Sequence, residues 1–110
     1  MLGWQEEYRE ILDRIESELR RLDMWADQPP AMSAFTSTLP FCVDTMPLEN
    51  WLQFVLIPKV ESLLALDRTL PGPAGIAPIA EEAFKHNHEA LRLVRVLHEF
   101  DELTKRGSCH

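Results

Sequence analysis

Cysteine is scarce. There are two, Cys42 and Cys109, one internal and one beside the last residue. One thiol in each place makes no disulfide framework, so a reducing compartment is expected. Glycine is also scarce, at 4 residues. The Gly72-Pro73-Ala74-Gly75 loop lacks the lysine and Ser/Thr of a phosphate cradle. Basic residues are outnumbered, 11 Lys and Arg against 18 Asp and Glu, for a net charge of −7. That balance disfavours direct nucleic-acid binding, whose footprint is a basic patch. It equally disfavours an anionic membrane surface. No apolar run approaches the roughly 20 residues that a membrane span needs. The N-terminal residues are acidic and show no secretory core segment, so cytoplasmic localisation is expected.

What the chain does have is helical periodicity. Its 110 residues are expected to form one domain, residues 1–110, large enough for a core without metal or disulfide. Residues 4–25 read as a long amphipathic helix, with Trp4, Tyr8, Ile11, Ile15, Leu22 and Trp25 on the buried stripe. The other face is charged. It is expected to carry Glu18 in solvent, with Glu10–Arg14 and Glu16–Arg20 as i,i+4 pairs. The segment that ends in Pro29-Pro30 closes it.

The organising element is Trp51–Ile57, where only Gln53 is polar. A helix apolar nearly all round is buried on most sides, so this one is expected to be the hub. Asp44 and Thr45 are placed to cap it, and Pro47 suits its first turn. Asn50, Gln53 and Glu61 are expected on a thin solvent-facing edge. Pro58 either kinks this helix or separates two, because an interior proline removes a donor and clashes with the preceding turn.

Between these helices lies a link, residues 26–46, far longer than bundle connections usually are. It contains no glycine and carries Phe35, Leu39, Phe41, Val43 and Met46. It should lie along the bundle as an ordered strap, its hydroxyls satisfying local backbone groups. After a turn-rich stretch over 67–77, a short third helix starts near Pro78. Asn87 caps a fourth from His88 to about Arg106, with Leu93, Leu97 and Phe100 inward and Glu99 and Glu102 outward. The fold class expected is all-α: a bundle of about four helices with a long ordered loop between the first and second.

No catalytic constellation emerges. Cys42 with His86 or His88 lacks a nucleophile signature and reads as a small buried hydrophobe. His86, His88 and His98 with Glu82 or Glu89 do not have the spacing of a zinc site. The acid pairs, Asp101/Glu102 among them, are expected on solvent faces. No cofactor and no metal are expected. Aromatic and apolar groups stand out instead. Phe35, Leu39, Phe41, Met46 and Trp51 are the candidates for contacting a protein partner, since aromatics anchor interfaces.

The strings Phe35-Thr-Ser-Thr-Leu-Pro-Phe41, Asp44-Thr-Met46, Trp51-Leu-Gln-Phe-Val-Leu-Ile-Pro58, Leu70-Pro-Gly72 and Ile76-Ala-Pro78 resemble the YqcC-like family of small bacterial proteins. The resemblance spans nearly the whole chain. It implies a small cytoplasmic helical bundle with no assigned enzymatic activity. It also implies a genetic neighbourhood shared with a tRNA pseudouridine synthase, and so an accessory role beside that enzyme. The resulting expectation is a non-enzymatic binding protein, monomeric, with a protein partner. The alternatives are a small metal- or thiol-dependent enzyme, or a structural protein that self-associates.

Overall fold

In the computed structural model, residues 3–68 and 73–107 are described. Cys109 and the Leu70-Pro71-Gly72 part of the third link lie outside them. The described residues form four helices and no strand. Helix α1 is Trp4–Arg21. Helix α2 is continuous across Leu48–Trp51, a π-helical turn Leu52–Leu56 and Ile57–Ala65. Helix α3 is Ala77–Ala83. Helix α4 is Leu91–Gly107, preceded by a 3₁₀ turn His88–Ala90.

Helix α1 stops earlier than its apolar periodicity suggests. Asp23 adopts a left-handed conformation with φ 60°. The Met24 N–H then bonds the Leu19 carbonyl at 2.8 Å, and the Asp23 N–H bonds the Arg20 carbonyl at 3.1 Å. This is the Schellman arrangement, with aspartate at the position glycine usually holds. The same device ends α2, where Asp67 has φ 61° and the Arg68 N–H reaches the Leu63 carbonyl at 2.8 Å. So the prolines at 29 and 30 do not end α1; local backbone pairing does. Trp25 lies beyond the helix, and the Arg20 guanidinium sits 4.8 Å from its ring centroid.

Pro58 separates nothing. Leu52, Leu56 and Ile57 all keep right-handed helical dihedrals. The turn before the proline widens instead, and the Ile57 N–H bonds the Leu52 carbonyl five residues back. A π turn inserts slack into the ladder where a donor is missing. The start of α2 also differs from expectation. Pro47 is its N-cap residue and no side chain caps it. Asp44 accepts from the Ser37 hydroxyl, and Thr45 donates to the Ala34 carbonyl at 2.7 Å. Both residues fasten the strap to itself.

The hub is α4 rather than α2. Helix α4 packs on both α1 and α3, while α2 packs less extensively on α1 and on the strap at Pro40–Cys42. Leu93, Leu97 and Phe100 of α4 are fully buried, whereas Phe54 and Val55 of α2 are half-buried. A short run rich in large apolar residues looked more central than it is. A longer amphipathic helix with neighbours on two sides buries more of its stripe.

Tyr8 is fully enclosed between Trp4 and Phe100, edge-on to both at centroid distances of 6.1 Å. Its hydroxyl has no hydrogen-bond partner among the described residues. Burial pushes the phenol above its usual value of 10.0, partly offset by Arg106. A raised pKa in the folded state stabilises the fold below pH 10, and that contribution is lost as pH rises through the folded value. Tyr8 is the sole tyrosine, so near-ultraviolet phenolate absorbance reads it alone. The absorbance is expected to rise only together with loss of helical circular dichroism. A phenolate that forms at an ordinary pH with the fold intact would contradict this burial.

Candidate functional site: the strap and its groove

Three polar devices hold the links that carry the candidate surface. The first is Gln53. It is not on a solvent-facing edge; it is 7% exposed. Its amide oxygen accepts from the Ala26 N–H at 2.8 Å, and its amide nitrogen donates to the Ala26 carbonyl at 2.8 Å. A carboxamide pairs with one peptide unit in this two-bond fashion because both present a donor and an acceptor side by side. The strap is thereby pinned to α2 at its origin.

The second device is Asp101, whose carboxylate does not face solvent as expected. It accepts from the Ile76 N–H at 2.9 Å and the Ala77 N–H at 2.7 Å. It therefore caps α3 from another helix, supplying the acceptor that the positive helix end needs. Thr104, fully buried one turn along, accepts from the Ala74 N–H at 3.0 Å. Gly75, at φ 66°, makes the turn between these donors.

The third device is Glu18, which is buried rather than solvated. It pairs with Arg21 at 2.7 Å and with Arg92 of α4 at 3.2 Å. Likewise Arg14 bonds not Glu10 but Glu99 of α4, through two bonds of 3.2 and 2.6 Å. Glu99 strongly favours the charged Arg14, whose pKa is raised chiefly by that hydrogen bond. Only the Glu16–Arg20 pair forms as the i,i+4 spacing suggests, at 2.8 Å.

The strap itself has two 3₁₀ turns, Met32–Thr36 and Pro40–Cys42. Its hydroxyls bond locally: Thr36 donates to the Ser33 carbonyl, and Ser37 accepts from the Leu39 N–H. Most of its apolar side chains are not docked. Phe35 is 38% exposed, Leu39 48% and Val43 64%. Phe41 is half-buried and meets the Trp51 ring edge-on at 4.9 Å. Met46 is only 6% exposed, and what it shows lines the groove beside the strap. The five candidate residues thus divide. Phe35 and Leu39 are exposed on the strap, Phe41 and Trp51 form a half-buried pair, and Phe41 and Met46 line the groove.

Backbone strain concentrates in the same place. Phe41 and Cys42 are consecutive non-glycine residues with φ of 60° and 50°. The Val43 N–H closes this tight turn on the Pro40 carbonyl at 3.3 Å. Left-handed conformations cost L-residues about 1–2 kcal/mol each and persist only when surrounding contacts hold them. The Phe41–Trp51 contact and the Met46 N–H bond to the Cys42 carbonyl supply that hold. Cys42 is consequently half-exposed at the turn, not a buried hydrophobe.

Beside this turn an open groove of about 460 Å³ separates the strap from α3. Met24, Phe41, Leu48, Ile79 and Phe84 supply much of its wall. Sequence reasoning did not anticipate the part played by Ile79 and Phe84, because helix–strap proximity leaves no mark on spacing. The imidazoles lie elsewhere: His98 pairs with Glu81, and His86 and His88 are exposed. Among the described residues no group of three or more His, Cys, Asp and Glu is arranged to hold a metal ion. No helix among them is long and apolar enough to cross a membrane.

This is a small all-α domain that carries an ordered strap and an open apolar groove. The chain belongs to the YqcC-like family, and the family model described as tRNA pseudouridine synthase C matches residues 7–103. An uncharacterised protein of Haemophilus influenzae is 37% identical over 101 residues, covering 92% of this chain and 95% of that one. The uncharacterised protein YqcC of Escherichia coli is 39% identical over 83 residues, 76% of each chain. The solution NMR structure of Escherichia coli YqcC superposes with a TM-score of 0.84 at 33% identity, covering 96% of this chain and 92% of that one. A tRNA pseudouridine synthase C of Pectobacterium carotovorum is 42% identical over 67 residues, which are 61% of this chain but 18% of that much longer one.

Proposed function

We propose that this chain is a non-enzymatic accessory protein that binds a tRNA pseudouridine synthase through the strap and the groove beside it. One observation carries the reading: a stretch similar to most of this domain occupies 18% of a chain named as such a synthase. Two modules joined in one chain meet at high effective concentration, which is useful where the separate modules also act together. The exposed Phe35, Leu39 and Val43 form the kind of apolar surface that partners cover. The net charge of −7 suits a basic, RNA-binding partner and speeds encounter with it.

The test is calorimetry of the purified chain against the separately purified synthase of the same cell, with and without tRNA. A saturable complex is expected in at least one condition. Leu39→Glu is expected to leave the helical spectrum intact, since Leu39 is exposed, and to weaken binding about tenfold or more. Absence of a complex in both conditions would refute the proposal.

A further inference from the structure

We infer that the groove receives an amphipathic helix of the synthase, apolar on its inserted face and bearing a lysine or arginine at its edge. This rests on the partnership proposed above and specifies which chemistry of the partner is recognised. Glu49 lies in the groove wall on the first turn of α2 and is half-buried. Among the described residues it has no side-chain hydrogen bond or ion pair. Other carboxylates of comparable burial do have partners, such as Glu16 with Arg20 and Asp101 with two backbone N–H groups. The groove therefore joins an apolar floor to an unpaired carboxylate in its wall.

Charge complementarity selects the occupant. A carboxylate in the wall of an acidic protein repels phosphate and admits a cation, so RNA does not fit here. A second copy of this chain brings the same excess of acid. The described residues contain no strand, so edge addition of an extended peptide has no template. Of the modes that use an apolar groove, a helix laid into it, with anchors at i, i+3 or i+4, and i+7, presents several large side chains and an edge cation on one face; a cross-link to a proline-rich segment would overturn the inference. The volume of about 460 Å³ falls in the range of sites that take several large side chains. Val43, itself in the lining, is exposed and adds to the apolar wall.

The experiment measures the dissociation constant of full-length variants with the synthase. Glu49→Arg is expected to weaken binding about tenfold or more, and Ile79→Glu, which puts a charge on the floor, at least as much. Glu61→Arg changes the net charge identically but lies in the cleft between α1 and α2. It is expected to stay within about twofold of wild type. A photo-reactive phenylalanine analogue at position 43 is expected to cross-link to a helical segment that carries lysine or arginine. Equal effects of Glu49→Arg and Glu61→Arg overturn the inference, since net charge alone would then explain both. So does wild-type affinity in Glu49→Arg and Ile79→Glu, or a cross-link to RNA; in those cases the partnership itself stands. Wild-type protein that forms no complex overturns both.

Discussion

Asp101→Ala is expected to destabilise the protein by about 2–4 kcal/mol. The carboxylate accepts from the Ile76 and Ala77 N–H groups, and both residues are essentially fully buried. Hydrogen bonds to a charged group contribute about 1.5–3 kcal/mol each, and removing the acceptor leaves the donors to water that can only partly reach them. Helix α3 is too short to hold itself, with seven residues and no side-chain cap of its own. Asp101→Asn should lose about half as much, because one amide oxygen replaces two acceptors. Chemical denaturation followed by circular dichroism measures both. Because α3 supplies Ile79 and Phe84 to the groove, partner affinity should fall with stability in the alanine variant. A loss below about 0.5 kcal/mol would show that this remote cap is ornamental.

Gln53→Leu is the second large effect, a loss of about 2–3 kcal/mol. Leucine nearly preserves the volume, so the change isolates the two bonds to Ala26. Both the N–H and the carbonyl of Ala26 lose their partner, at about 1–3 kcal/mol for each buried group left unpaired, tempered here because Ala26 is half-buried. For a domain of this size that corresponds to a fall of ~10 °C or more in Tm. The local consequence is more informative than the global one. Hydrogen exchange at the Ala26 amide should accelerate well beyond the change in global stability, because the origin of the strap is no longer fastened. Uniform acceleration over the whole chain would mean that the bond stabilises the fold without ordering the strap in particular.

Reading the fold from spacing works where a side chain's role follows from its own helix. The stripe of α1 from Tyr8 to Leu19 is buried as its period demands, and Asn87 accepts from the Glu89 N–H at the start of the last helix. It fails where a role is set across elements. Gln53, Glu18 and Asp101 all sit in sequence patterns that suggest solvent. Each is enclosed because a backbone or an arginine from elsewhere in the chain arrives to pair with it. A polar residue on an otherwise apolar run carries that possibility, but the run alone does not name the partner. The candidate surface was legible in the same partial way. The strap's composition marked Phe35, Leu39, Phe41 and Met46, of which Phe41 and Met46 line the groove, while Ile79 completes it only because α3 lies beside the strap.

Composition and periodicity by themselves determined an all-helical chain, four segments long, with an ordered link and an acidic surface. Those properties arise from local propensity and from the burial of apolar stripes, which each segment carries within itself. Tertiary structure alone decided that α4 is the hub, that Pro58 widens a turn instead of dividing a helix, and which apolar residues stay outside. Those outcomes depend on which groups meet across the chain, and a buried donor or acceptor is stable only where its counterpart is brought to it.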